Sequence, residues 1–240
     1  GNPKGVMLTH KNLSSNVVSS AILQPIFEKD RFLSILPLSH TYENTLSLLL
    51  PIYQGASVHY LDGPPTPSLL SSALRKVKPS IINSVPMIIE KVYRKQILPG
   101  LTDAAWKRFF MFFPFTRRLL HKLAGMKLMK AFGGNVRFFG VGGAKLDPVV
   151  ERFLKEAGFP YAIGYGLTET SPLVAGTAPQ NTKLRTIGPS INDVEIQLRN
   201  KNENGEGEIW VKGPNVMKGY YKMPKETEEV LQDGWLNTGD

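Results

Sequence analysis

The sequence predicts an α/β fold, a largely parallel sheet with flanking helices, followed by a small β-rich, barrel-like subdomain. Two observations predict it. Between Arg31 and Ile163 short apolar runs of strand type alternate with helical patterns and polar loops, the rhythm of a parallel sheet covered on both faces. Past Ala178 the texture changes to brief runs of alternating apolar and polar residues, broken by the turn signal NKNENGEG.

Taken in order, Thr9 or Asn12 caps a helix that carries Leu13, Val17, Val18, Ala21 and Ile22 on one face and ends before Pro25. Phe32 to Leu36 is the first strand, PLSHTYEN a polar loop, and Thr45 to Tyr53 a buried helix. Ser57 to Leu61 makes the next strand, Ser68 to Val77 an amphipathic helix, Ser80 to Ser84 a strand and Met87 to Ile97 a helix. Beyond a basic helical insert at residues 91–133, Val136 to Val141 is a strand, Pro148 to Ala157 a helix and Pro160 to Ile163 a strand. The β-rich part contains Thr186 to Pro189, Val194 to Leu198 and Gly207 to Lys212, and a short helix starts near Pro224 with an acidic first turn. The expected division is 1–178 for the α/β part and 179–240 for the β-rich part.

With 240 residues, 42% hydrophobic and 20% charged, the chain can bury a substantial core. It has no cysteine, which excludes disulfides and thiolate metal sites, and its four histidines are too scattered for a zinc site. The longest uncharged apolar stretch is interrupted by Pro51, Gln54 and Gly55, and the first residues show no signal peptide. A cytoplasmic protein is expected. The net charge of +9 resides in one segment: Lys91 to Lys130 holds ten Lys/Arg against Asp103, and the remainder is neutral with 19 of each sign. No nucleic-acid motif accompanies that charge, so no nucleic-acid partner is expected.

Ligands of open parallel sheets bind beyond the carboxyl ends of the strands. Four unusual loops fall there: PLSHTYEN, VPM, GVGGAKL and GYGLTETSP. In the last, Gly164 and Gly166 allow close backbone approach, Tyr165 can stack on a flat ring, Thr168 can bond a phosphate oxygen and Glu169 offers a hard oxygen to Mg2+. The plainer reading is a loop punctuated by glycines in which Thr168 caps the next turn. GNPKGVMLTH suits a loop whose backbone N–H groups and Lys4 face an anion, although it is no Walker loop.

These motifs stand together in one order, and the chain resembles the large N-terminal portion of the adenylate-forming enzymes, of the long-chain fatty acid–CoA ligase type. GNPKGVMLTH resembles the end of that family's phosphate loop, and LPLSHTYEN, GVGGAKL, GYGLTETSP, GEIWVKGPNVMKGYY and GWLNTGD resemble its later motifs. The resemblance implies that Gly142, Gly143 and Ala144 lie along adenine, with Tyr165 stacked on it beside Gly166. It implies that Thr168 holds the α-phosphate, Glu169 binds Mg2+ and Asp240 accepts the ribose hydroxyls. His40 would sit near the carboxylate and phosphates, and Lys4 in the loop over the β- and γ-phosphates. The implied reaction joins a fatty acid and ATP into acyl-AMP and pyrophosphate, then passes the acyl group to CoA. Two other readings are a ligase that loads a carrier protein and a non-catalytic, membrane-associated scaffold. Because the family's phosphate loop begins earlier and its small C-terminal domain follows later, the chain is expected to be a fragment that folds its core but is inactive alone.

The insert carries a motif of its own. Trp106, Phe109, Phe110 and Phe113 share one helical face that ends at Pro114, and Leu119, Leu123 and Met126 repeat the spacing, with basic residues between. Either this stripe packs on the core as a helical hairpin with charges outward, or part of it meets an anionic membrane, where each Lys/Arg near the surface contributes about 1 kcal/mol. The second reading makes the protein peripheral to a membrane.

Overall fold

The structure, a computed structural model, describes residues 3–240. Gly1 and Asn2 of the first motif lie outside them. A two-residue strand β1 (Val6–Met7) leads to helix α1 (His10–Leu23), whose N-cap is Thr9. Thr9 and Asn12 form a reciprocal capping box, so both residues expected as alternatives take part. The buried face of α1 is not the aliphatic one the sequence suggests. Val17 is buried, but Val18 and Ile22 are exposed, and Asn12, Asn16, Ser19 and Ser20 turn inward. Asn12, Asn16 and Ser19 do so because backbone carbonyls of distant loops lie against this side of the helix. Asn16 Nδ2 donates to the Leu173 carbonyl at 2.7 Å, and Asn12 Nδ2 donates to Pro214 and Val216 at 2.8 and 2.7 Å.

The central sheet collects five parallel strands. β2 (Arg31–Ser34) is followed by α2 (Thr41–Glu43), a wide π-helical turn over Asn44–Leu49 and α3 (Leu50–Gln54). Then come β3 (Ser57–Tyr60), α4 (Pro67–Val77), β4 (Ile81–Ser84) and α5 (Pro86–Val92). The insert supplies a second wide turn (Tyr93–Ile97), α6 (Leu98–Thr102), α7 (Ala105–Met111) and α8 (Pro114–Ala131). β5 (Phe138–Val141), α9 (Pro148–Ala157) and β6 (Tyr161–Ile163) complete the unit. The spatial order is β3-β2-β4-β5-β6, every pair parallel, as the alternating pattern predicts.

Fully buried Ile82, Phe139, Phe153, Leu154, Leu128 and Ile89 fill the larger core, between the sheet and α5, α8 and α9. Helices α8 and α9 approach closely at Gly125, where a Cβ would come within 2.8 Å of Ala157 Cβ. The part of α8 that packs inward is therefore His121, Ala124, Gly125 and Leu128. The core-packed version of the aromatic stripe does not hold. Trp106, Phe109, Phe110, Phe113, Leu119, Leu123 and Met126 are all exposed; for the α8 residues the reason is the close contact at Gly125, which turns the opposite side of that helix to solvent.

The chain then forms a hairpin of β7 (Tyr165–Gly166) and β8 (Leu173–Ala175), followed by β9 (Glu195–Arg199), β10 (Glu208–Lys212), β11 (Gly219–Tyr220), α10 (Pro224–Val230), β12 (Leu231–Gln232) and β13 (Trp235–Asn237). β12-β13-β10-β9 is an antiparallel sheet, and β1 pairs with β11. Thr186 to Pro189, expected as a strand, is loop; the adjacent Ser190 makes only an isolated bridge to Ala175. Arg185 at φ 62° and Gly188 at φ 111° break the extended run there.

Candidate functional site

At the carboxyl ends of the parallel strands the expected loops do meet. The loop after β2 sends Tyr42 against Gly142, where a Cβ would lie 3.3 Å from the phenol ring. Val85, after β4, is the nearest neighbour of Gly143, and Gly164 N donates to the Val141 carbonyl at 2.9 Å. Between the last two loops opens a cleft of about 750 Å3. Gly143, Ala144, Tyr165, Gly166 and Asp240 line it, five of the residues that the sequence assigns to nucleotide binding. Gly142 sits just behind them under Tyr42, and Thr168, Glu169, His40 and Lys4 are not among the lining residues.

Local chemistry explains how each is held. Gly143 has φ 82°, a left-handed conformation that favours glycine, and it carries the backbone around the end of β5. A Cβ on Gly166 would lie 1.9 Å from the Pro172 carbonyl oxygen, so the β7–β8 hairpin closes only with glycine there. Tyr165 OH donates to Asp240 Oδ2 at 2.6 Å. Burial first and Asp240 second push that phenol well above its ordinary range, so it stays a donor. Asp240 is in turn held to the β10 strand, its carbonyl accepting from Ile209 N at 3.1 Å.

The turn after Gly166 separates structural from ligand-facing residues. Thr170, fully buried, receives Leu167 N on its hydroxyl at 3.1 Å and donates to the Pro172 carbonyl at 2.6 Å. The capping role that the plainer reading gives to Thr168 belongs to Thr170. Thr168 is left exposed, and Glu169 beside it accepts from Tyr220 OH on Oε1 at 2.8 Å. The Tyr220 phenol is pushed up to about 12, by burial and then by Glu169. Lys4 Nζ lies 4.7 Å from the centre of the same ring, which connects the first loop to Glu169 through Tyr220. Asn215, Asn16 and Thr45 bond the backbone of this turn from three sides. His40 is exposed at the head of α2, in the loop after β2.

Three contributors escape sequence reasoning. Glu43, in PLSHTYEN, is wholly buried; its Oε1 accepts Ser34 OH at 2.6 Å and Ile35 N at 3.1 Å, and its Oε2 accepts Ser47 OH at 3.0 Å. Burial raises its pKa, opposed by those donors, and it ties α2 to the end of β2. Glu151 accepts Arg185 N at 3.0 Å and fixes the loop that brings Arg185, Thr186 and Ile187 to the cleft. Tyr220 is the third. Among the described residues no three His, Cys, Asp or Glu side chains cluster as a metal site. Among the described residues Glu169 Oε2 accepts no hydrogen bond, and a single carboxylate of this kind suits Mg2+, which takes one or two carboxylates and fills its shell with phosphate and water oxygens.

A cleft with small residues on one wall, an aromatic ring and a carboxylate at its mouth can hold a nucleoside. The family model described as AMP-binding enzyme matches residues 1–221. The chain belongs to the AMP-binding enzyme family. Over its whole length it is 32% identical to long chain acyl-CoA synthetase 6, peroxisomal, of Arabidopsis thaliana and 32% identical to long-chain-fatty-acid–CoA ligase 6 of Mus musculus, and it covers 37% of each. Among solved structures of AMP-binding enzymes it is similar to o-succinylbenzoate coenzyme A synthetase of Bacillus subtilis in complex with AMP and in complex with ATP and magnesium ion. Each has a TM-score of 0.74 and 27% identity, with all of this chain and 44% of that one covered. The chain thus spans well under half of the proteins it matches.

Proposed function

We propose that the protein containing this chain activates a long-chain fatty acid with ATP and then transfers the acyl group to CoA. The observation that carries the reading is the Tyr165–Asp240 hydrogen bond at the mouth of a cleft walled by Gly143 and Ala144, with Glu169 one turn away. Gly142, Gly143 and Ala144 leave room for the adenine ring, and Tyr165 stacks on its face. Tyr165 occupies Asp240 Oδ2, and Oδ1, which accepts no hydrogen bond among the described residues, takes the ribose hydroxyls. Thr168, exposed because Thr170 closes the turn, donates to the α-phosphate. Lys4, just before β1, supplies positive charge to the phosphates, and His40, in the loop after β2, supplies a hydrogen bond near the fatty acid carboxylate. Glu169 would hold Mg2+, which would supply neutralising charge to the phosphate oxygens; in the reaction the fatty acid carboxylate attacks the α-phosphorus and pyrophosphate leaves. Catalysis of this kind relies on positioning and charge stabilisation, which is why no nucleophile with its own base is needed.

The names of the relatives favour a long-chain fatty acid and CoA. ATP–pyrophosphate exchange by the intact protein, driven by a panel of carboxylic acids, tests the proposal. Exchange that depends on a long-chain fatty acid and disappears in Glu169→Ala is expected. Exchange that no fatty acid stimulates, or that Glu169→Ala leaves unchanged, would overturn the substrate or the metal assignment respectively.

A further inference from the structure

The face that α7 and α8 turn away from the core has a composition that neither the fold nor the nucleotide cleft explains. Phe112 and Phe115, at the bend between the two helices, are 80% and 81% exposed. Trp106, Phe109, Phe110 and Phe113 pack edge to face on one another, with centroids 5.3 to 6.1 Å apart, and yet remain exposed. Along α8 the outward residues are Phe115, Arg118, Leu119, Lys122, Leu123, Met126, Lys127 and Lys130. At 3.6 residues per turn, Phe115, Leu119, Leu123 and Met126 form one apolar strip, with Arg118 and Lys122 on one flank and Lys127 on the other. The inward side, His121, Ala124, Gly125 and Leu128, is fully used against α9 and the core.

The charge on this face is also left unspent. Arg94, Lys107 and Arg117 pair with Asp147, Asp103 and Glu156. Among the described residues Arg108, Arg118, Lys122, Lys127 and Lys130 make no ion pair, and Asp103, already paired, is the sole carboxylate between Lys91 and Lys130. Aromatic and aliphatic side chains along a helix, bordered by free cations, match the profile of an interfacial helix, apolar groups at acyl depth and Lys/Arg at the phosphates.

We propose that the exposed face of α7 and α8 docks on an anionic lipid bilayer. The positive charge calls for an anionic partner. Two phenylalanines with four-fifths of their surface in water favour hydrocarbon over an acidic protein or a nucleic acid backbone, whose anionic groups offer those rings nothing apolar to bury against. No helix of the described residues is long and apolar enough to cross a membrane, so this contact is peripheral. It is independent of the adenylation reading, since sedimentation reads binding and exchange reads chemistry. If both hold, the surface delivers the protein to the phase that holds a long-chain acid.

Cosedimentation of the intact protein with vesicles of phosphatidylcholine alone, or mixed with phosphatidylglycerol, tests it. Binding about tenfold or more tighter to the anionic vesicles, weakening as salt rises, is expected. Tryptophan emission shifts to the blue on binding, and the part of the shift due to Trp106 is lost in Trp106→Phe; among the described residues the other tryptophans, Trp210 and Trp235, are buried. Phe112→Ser with Phe115→Ser, and separately Lys122→Gln with Lys127→Gln, abolish the binding and leave the unfolding temperature unchanged. Equal affinity for neutral vesicles, no Trp106 shift, or a self-association that the phenylalanine variants break without any vesicle binding would each overturn the proposal.

Discussion

The two ends of the parallel sheet use carboxylates in opposite ways. At the amino ends, Asp30 is buried and surrounded. It accepts from Arg137 Nε at 2.8 Å and again from that guanidinium through Nη2, from Ser80 OH at 2.8 Å and from Phe27 N at 2.8 Å. Burial opposes its ionisation, but Arg137, Phe27 and Ser80 outweigh burial and hold its carboxyl below the usual range. At the carboxyl ends, among the described residues, Glu169 has one side-chain donor, Tyr220, and Asp240 has Tyr165 on a single oxygen. A saturated carboxylate joins β2, β4 and β5 at their starts; half-satisfied ones leave lone pairs for a ligand. Glu43 shows that position is not the whole rule, because it lies at the carboxyl end of β2 and is saturated like Asp30.

The contrast can be broken from either side. The largest effect is expected at Glu169→Ala, which lowers exchange by about 10²–10³-fold and leaves the unfolding transition in place, measured by kinetics and thermal denaturation. Asp30→Asn does the reverse. It costs about 2 kcal/mol in denaturant unfolding, less than the roughly 3–5 kcal/mol of a fully enclosed pair because Arg137 keeps some solvent, and the folded variant binds nucleotide like the parent. Since the folded pKa of Asp30 is depressed, its contribution is complete above the unfolded value of about 3.9 and is lost as pH falls through the folded one. The parent therefore loses stability in that acid limb and Asp30→Asn loses less.

A smaller effect sharpens the same contrast. Tyr220→Phe removes the phenol that donates to Glu169 and is expected to lower exchange about tenfold, with no change in unfolding midpoint. With the phenol pushed up to about 12, the parent keeps this donor throughout the neutral range, so the deficit of Tyr220→Phe is the same at every pH tested there.

Most of the sheet was legible because strand runs such as Phe32 to Leu36 and Val136 to Val141 are apolar and bounded by turn residues, and the glycines of GVGGAKL and GYGLTETSP announce close backbone approach. The parts that were not legible depend on what a side chain meets far along the chain. Asn12, Asn16 and Ser19 look like the solvent face of α1, yet they serve carbonyls some 150 to 200 positions away. Thr168 and Thr170 are chemically equivalent in sequence, and only the fold of the turn makes one a cap and the other a free donor. The strip of Leu119, Leu123 and Met126 has the period of a core face, but the contact of Gly125 with Ala157 assigns the core to the other side of the helix.

The central claim is that the cleft at the carboxyl ends of β5 and β6 holds the nucleotide. Calorimetric titration of AMP into the intact protein, its Asp240→Ala variant and its Asp30→Asn variant tests it most directly. AMP affinity about tenfold or more weaker in Asp240→Ala, beside unchanged affinity in folded Asp30→Asn, is predicted. Unchanged affinity in Asp240→Ala would contradict the account.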